Sequence, residues 1–296
     1  MKRVRFSIAT PTRNALDKLK RCVGSVRGQS EVSHEHLVQD AQSSDGTSAW
    51  LAGQSDLLGC SEADAGMYDA INRAWAMSSG EFLSWLNADE QYLPGTLKRV
   101  EVYFDANPDV DVVFGNYVVC DPLGRPVALR REIPFRRFYV VNSFLNTQSC
   151  TLFFRRRLYE RGALTLNTRY RYAADKELML RLAAAGIVIR RIPDYLAVFG
   201  IDGSNLSTHP RAAEESEAIR LAYGAFRFLP LRYLALGARR IERLLTGGYR
   251  KDVFRYRYAV DEIPNYVEFK SARLGGRYSL DDIEGRAEIM RKVNSA

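Results

Sequence analysis

The sequence predicts an α/β fold: a mostly parallel central sheet flanked by helices, followed by a helical, basic C-terminal extension. Three observations lead there. Over the first 120 residues, short apolar runs alternate with segments of helical periodicity, the pattern of parallel strands joined by crossover helices. With 296 residues, 46% of them hydrophobic and 26% charged, the chain can bury the core that such a sheet needs. From about residue 209 the alternation stops, and the chain turns basic and aromatic-rich. The expected division is therefore a sheet domain at 1–208 and a C-terminal region at 209–296.

The run VRFSIAT (4–10) reads as the first strand, and Leu16, Leu19, Val23 and Val26 recur at helical spacing in 15–26. HEHLVQDA (34–41) is a second strand, and Asp45 can cap a short helix in GTSAWLAGQ. A third strand (56–63) is followed by a helix over 67–80 that Gly80 ends, and EFLSWLNA (81–88) is a fourth strand. Pro94 starts a helix over 95–107, and 109–119 is again extended. DPLGRP (121–126) is a turn between extended runs, and QSCTLFFRR (148–156) reads as a strand. DKELMLRLAAAG (175–186) is a helix with Gly186 just past its end, and IVIRRIP and YLAVFG are two further strands.

The formal net charge is +8. Residues 218–258 hold ten Arg or Lys against Glu242 and Asp252, so this segment alone carries a charge equal to the whole excess. Such a patch seeks an anionic partner: nucleic acid, phospholipid or a phosphorylated substrate. Its mixture of Arg with Phe, Leu and Tyr resembles interfacial helices, and peripheral contact with anionic lipid through 218–258 is expected; an appendage packed on the core or an oligomer contact is the plainer reading. Cys22, Cys60, Cys120 and Cys150 are scattered without a C-x-x-C pair and read as reduced thiols of a cytosolic chain. The N-terminus lacks the apolar run of a signal peptide, and no stretch nears the roughly 18 apolar residues of a spanning helix.

In open α/β sheets, ligands bind beyond the carboxyl ends of the strands. Acidic residues gather at those ends: Asp40 and Asp45 after the second strand, Glu62 and Asp64 after the third, Asp89 and Glu90 after the fourth. One such Asp is ordinarily a turn residue or a cap. Repetition along one edge instead suggests a cation, and hard divalent ions combine one or two carboxylates with phosphate oxygens and water. A diphosphate ligand with Mg²⁺ or Mn²⁺ fits that edge, although no Walker-type or G-x-G-x-x-G phosphate loop occurs.

The segments SIATPTRNALDKLKRCVGSVRGQS, HLVQDAQSSDGT, SEADAGMYDAINRAWAMSSGEFLSWLNADE and ADKELMLRLAAAG, in that order, resemble the family 2 glycosyltransferases of the GT-A fold. The likeness covers about residues 4–205 and points to the branch that builds bacterial surface polysaccharides. It implies a nucleotide-sugar site of Thr10, Pro11, Arg13, Asp40, Asp45, Glu62, Asp64, Gly66, Asn72, Asn87 and Ala88. Asp89 matches the metal-binding Asp of the D-x-D motif, and His209 is a second metal candidate. Asp175 matches the general base, with its pKa lowered at a helix N-terminus; Gln148 and Glu177 lie on the acceptor side, Glu177 as the alternative base. Two positions depart from the pattern: Asn87 replaces the first acid of D-x-D, and Ala174 the first acid of E-D.

The implied activity is metal-dependent, inverting sugar transfer with Mn²⁺ or Mg²⁺. The donor is a nucleotide sugar, UDP-sugar ahead of GDP- or dTDP-sugar, and the acceptor a glycan or lipid-linked glycan. The expected location is the cytoplasm, at the inner face of the cell membrane, with no nucleic acid partner. The competing readings are a sugar-phosphate nucleotidyltransferase, a basic nucleic-acid-binding protein, and a non-catalytic nucleotide-sugar-binding relative. His34 and His36, on one face of a strand, read as an edge pair sooner than as metal ligands.

Overall fold

The computed structural model describes residues 3–203 and 205–278. Strands β1 (Phe6–Thr12), β2 (His34–Asp40), β3 (Leu57–Ser61) and β4 (Phe82–Trp85) are joined by helices α1 (Leu16–Arg27), α2 (Thr47–Ala52) and α3 (Met67–Ala76). Then follow β5 (Glu90–Tyr92), α4 (Thr96–Ala106), β6 (Val112–Cys120), β7 (Pro126–Arg130), α5 (Arg137–Asn142), β8 (Phe153–Arg155), α6 (Arg156–Glu160), α7 (Ala174–Ala184) and β9 (Ile189–Gly200). The chain continues through α8 (Pro210–Ala222), α9 (Leu229–Leu245), β10 (Arg255–Ala259) and β11 (Tyr266–Lys270).

The main sheet has nine strands, ordered β3-β2-β1-β4-β8-β6-β9-β5, with β7 beside β6. Strands β1, β2, β3, β4, β6 and β9 all run one way, and β5, β7 and β8 oppose them, so the sheet is mostly parallel. Both faces are covered, which explains the near-continuous apolar character of its central strands. Alternation along β4 sends Phe82 to one face and Leu83 and Trp85 to the other. Phe82 stacks on Phe104 of α4 at 4.5 Å between centroids, and Trp85 stacks on Phe154 of β8 at 5.8 Å.

Several sequence expectations need correction. Helix α3 stops at Ala76, not Gly80; a Cβ on Gly80 would lie 2.7 Å from the Phe6 backbone, so this glycine permits close approach to β1. The stretch 87–92 is not merely the end of β4: after a turn it forms β5, antiparallel to β9. The expected strand 148–156 is a 3₁₀ turn, Ser149–Thr151, followed by the three-residue β8. The two expected strands, IVIRRIP and YLAVFG, are one strand, β9, which runs through Pro193 and whose register on β6 shifts at Asn116. Such an irregularity accommodates a proline, which donates no ladder hydrogen bond.

The C-terminal extension is not wholly helical. β10 and β11 form an antiparallel hairpin that packs back on the sheet domain. Tyr256 and Tyr258 join Leu93, Val118 and Val198 in a common cluster. The Gln91 side chain donates to the Ala259 carbonyl at 3.0 Å and accepts from its N–H at 2.8 Å. Part of the expected C-terminal region, residues 279–296, lies outside the described residues.

Candidate active site

Parallel register aligns the carboxyl ends of three strands: Thr12 of β1 stands opposite Asp40 of β2, and Asp40 opposite Ser61 of β3. The Asp40 side chain is fully buried and occupied within the protein. It accepts from the Ser43 N–H at 3.1 Å, from the Ser61 hydroxyl at 2.6 Å and from the Ser43 hydroxyl. It therefore ties the ends of β2 and β3 together instead of facing an open edge. The loop after β1 joins the same knot: Asn14, at φ 49°, accepts from the Ser44 N–H at 2.8 Å. Asp45 behaves as a double cap, accepting from the Leu16 N–H at 3.0 Å and the Thr47 N–H at 3.1 Å. Its carboxyl is held below the usual range, chiefly by the Thr47 hydroxyl.

Thr10 turns inward, its hydroxyl 2.8 Å from His36 Nε2, and Pro11 is buried behind it. His36 is buried on this side, and burial pushes its pKa down to about 3, so it stays neutral as a core hydrogen-bonding group. Arg13 is exposed, with no ion pair among the described residues. Glu62 pairs with Arg73 at 2.9 Å. Asp64 accepts from the Gly66 N–H at 2.8 Å, and Gly66 has φ 117°, ψ 176°, which a residue with a Cβ does not readily adopt. Asn72 is engaged at both ends of its amide by the Leu166 backbone, at 2.8 and 2.9 Å, and holds that loop on α3. It therefore acts as a structural tie between α3 and that loop.

The turn between β4 and β5 separates the two adjacent acids. Glu90 is fully buried, accepting from the Asn87 N–H at 2.8 Å and the Ser149 hydroxyl at 2.7 Å. Burial, then the neighbouring Asp89, pushes its pKa up to about 8. Asp89 instead lines an open cleft with Lys18, Arg21, Gln91, Asp202 and Tyr258. Its pKa is raised by burial, against the pull of Lys18. Ala88 lines the same cleft, and Gly200 at the end of β9 lets the Asp89 carbonyl approach: a Cβ there would sit 2.7 Å from that oxygen. Lys18, Arg21, Asp202 and Tyr258 are not among the residues the sequence singles out. They come from α1, from beyond β9 and from the hairpin, so only tertiary folding assembles them.

No group of three or more His, Cys, Asp or Glu side chains able to hold a metal forms among the described residues. His209 caps α8, its Nδ1 accepting from the Arg211 N–H at 3.2 Å, and its ring stacks on Tyr172 at 4.5 Å. Asp89 nevertheless offers a carboxylate, and Asn87 Oδ1 is buried without a partner. A carboxylate and an amide oxygen are donors of the kind hard divalent ions take, though Asn87 is not among the residues that line the cleft with Asp89.

Asp175 stands in the first turn of α7 and accepts from the Lys176 N–H at 2.8 Å and from the Tyr68 hydroxyl at 3.4 Å. Its pKa is raised, not lowered: burial outweighs the hydrogen bonds and the nearby Lys176. Tyr68 follows directly on the Asp64–Gly66 loop, so one hydrogen bond joins that loop to Asp175. Glu215 of α8 accepts from the N–H groups of Arg171, Tyr172 and Ala173 at 2.9, 2.7 and 3.1 Å, fixing the approach to α7 from beyond residue 208. Glu177 is engaged by Arg181 at 3.1 Å and by the Tyr223 hydroxyl at 2.8 Å. Gln148 precedes the 3₁₀ turn, its carbonyl accepting from the Thr151 N–H at 2.9 Å.

The family model described as Glycosyl transferase family 2 matches residues 7–165, more than half of the chain. A PGL/p-HBAD biosynthesis glycosyltransferase of Mycobacterium bovis is 28% identical over 198 residues, 63% of this chain and 72% of that protein. An uncharacterized glycosyltransferase of Mycobacterium tuberculosis is 32% identical over 184 residues, 60% of this chain and 68% of that protein. Among solved structures, S. aureus TarS 1-349 in complex with UDP-GlcNAc superposes with a TM-score of 0.61 at 17% identity, covering 82% of this chain and 73% of that one. The mannosyltransferase PcManGT from Pyrobaculum calidifontis, in complex with GDP-Man and Mn²⁺, gives 0.52 at 18% identity, covering 84% of each chain. The fold is that of these GT-A neighbours, and with the family match over β1 to β8 the chain belongs to glycosyl transferase family 2 and is a glycosyltransferase.

Proposed function

We propose that the protein is a metal-dependent, inverting glycosyltransferase of surface-polysaccharide synthesis. It moves a sugar from a nucleotide diphosphate, UDP ahead of GDP or dTDP, to a hydroxyl of a lipid-linked glycan. The carrying observation is the hydrogen bond from Tyr68 to Asp175, which sets the expected base beside the Asp64–Gly66 loop. The UDP-GlcNAc and GDP-Man held by the two structural neighbours support the donor class.

Inverting transfer needs a base on the face of the sugar opposite the leaving group, and charge stabilisation on the departing diphosphate. Asp175 takes the acceptor's proton as its hydroxyl attacks. Burial raises its pKa, which makes its ionised form a stronger base than an exposed aspartate. Asp89 and the Asn87 side-chain oxygen would hold Mn²⁺ or Mg²⁺, which supplies positive charge to the leaving diphosphate. Arg13, exposed and unpaired, adds a cation at the same strand ends. The segment from 209 onward forms the acceptor and membrane side.

Thermal unfolding with UDP-, GDP- and dTDP-sugars, with and without Mn²⁺, tests the donor reading. One donor is expected to raise Tm only with metal, and Asp89→Ala to abolish that shift. Asp175→Asn is expected to keep the shift and lower transfer by about 10²-fold or more, the usual contribution of a general base. Normal transfer by Asp175→Asn would place the base elsewhere.

A further inference from the structure

The largest unexplained charge lies where α5, α7, α8 and α9 meet, one residue along from Asp175. Arg239 of α9 is only 8% exposed, yet its guanidinium has no hydrogen bond or ion pair among the described residues, and its Nε is a buried donor without an acceptor. Lys176, 4% exposed, donates to the Ser143 carbonyl at 3.2 Å and the Ser216 hydroxyl at 2.9 Å. Arg220 reaches the same carbonyl at 3.4 Å and carries a second buried Nε with no acceptor. The hydroxyl of Ser143 is buried and unpartnered as well.

Two of the carboxylates in reach are already shared, and a third, Asp175, lies beside Lys176. Glu217 serves Arg220 and Arg232, and Glu132 serves Arg130 and Arg243. Burial, with Arg220 and Arg239 adding repulsion, brings the Lys176 ammonium down to about 7. Buried cations are ordinarily paired, and donors left open cost their full desolvation. A corner with three cations and three open polar groups therefore has donors left over for an anion. It reaches the surface at Phe144, whose ring centroid lies 5.9 Å from the Arg239 guanidinium carbon and which is itself 65% exposed.

We propose that Lys176, Arg220 and Arg239 form a phosphate subsite that holds the acceptor's phosphate while its hydroxyl faces Asp175. The proposal rests on Asp175 being the base. Guanidinium and ammonium donors together match the oxygens of a phosphate or diphosphate. The donor's own diphosphate is assigned to Asp89, whose hydrogen-bonding and charged neighbours, Lys18, Asp202, Asn205 and Glu90, include no member of this corner. The phosphate can come from a lipid-linked acceptor, with its chain leaving past Phe144, or from a soluble phosphorylated one.

The test is calorimetric titration of the full chain with inorganic pyrophosphate and with farnesyl diphosphate, in saturating UDP and Mn²⁺. The wild type is expected to bind both. Arg239→Met and Lys176→Met are each expected to weaken both by about ten-fold or more, the loss of one charge-assisted donor. Arg239→Met should also keep or raise Tm, because an unpaired buried charge is removed, so lost binding would not reflect unfolding. Tighter binding of farnesyl diphosphate supports the subsite with a lipid-linked acceptor, and equal binding supports it with a soluble one. Unchanged pyrophosphate affinity in Arg239→Met would overturn the subsite, as would loss of that affinity in Asp89→Ala instead. Failure of UDP to bind the wild type, with the Arg239 effect intact, would sink the donor reading and leave the subsite standing.

Discussion

Glu90 and Asp89 are adjacent in sequence and opposite in circumstance. Glu90 closes the turn from within, held by the Asn87 N–H and the Ser149 hydroxyl, while Asp89 lines the cleft. With Glu90 pushed up to about 8, the folded chain keeps a proton that the unfolded chain releases near 4.3. Its contribution to stability is therefore complete below about pH 4.3 and is lost as pH rises toward 8, at most by roughly 1.4 kcal/mol per pH unit. Glu90→Gln keeps the shape without the proton. Urea unfolding is expected to show a flatter pH dependence over that window and a gain at pH 8 on the order of 1–3 kcal/mol. An unchanged slope would put the titration at another group. The acid pair is visible in the sequence, but its division of roles is not, because only the fold decides which carboxyl is enclosed.

At the scale of elements, the site depends on where strands end. β5 pairs with β9 so that Glu90 stands opposite Phe199, and Gly200 follows at the point where the Asp89 carbonyl comes closest. A methyl group there cannot be absorbed by a flexible side chain, because the obstacle is backbone. Gly200→Ala is expected to cost about 1–3 kcal/mol in thermal unfolding, as overpacking does, and to weaken metal-dependent donor binding by moving Asp89. Wild-type donor affinity in a folded Gly200→Ala protein would show that Asp89 tolerates the shift. Periodicity marks α1, α3 and α4 well, since each turns one apolar face to the sheet, whereas α7 is buried nearly all round. It does not mark β5 or the 3₁₀ turn before β8, which are three residues long and are defined by partners distant in sequence.

At the scale of the whole molecule, α9 is turned inside out. Ala235, Arg239 and Arg243 face the protein, while Leu234, Ile241, Leu244 and Leu245 are 60–81% exposed. Exposed Arg227, Arg240, Arg250 and Lys251 flank that apolar face. The combination suits an anionic membrane surface, with each cation adding about 1 kcal/mol near it. No helix among the described residues is long and apolar enough to cross a membrane. Leu234→Glu with Leu245→Glu is expected to abolish flotation of the full chain on phosphatidylglycerol vesicles without lowering Tm, since neither side chain is packed. Equal flotation of the variant would place any lipid contact elsewhere.

The sequence by itself determined the alternation of strands and helices, the acids at successive strand ends and the excess of cations after residue 218, because period, capping chemistry and charge are local properties. Tertiary structure alone decided that Asp40 is enclosed, that Asn72 and Glu177 are occupied within the protein, and that burial raises Asp175 where a helix terminus alone would lower it. It also set Arg239 and Arg243 of α9 inward. Burial, hydrogen-bond partners and the sharing of counter-charges belong to pairs of residues far apart in the chain, and they exist only once it has folded.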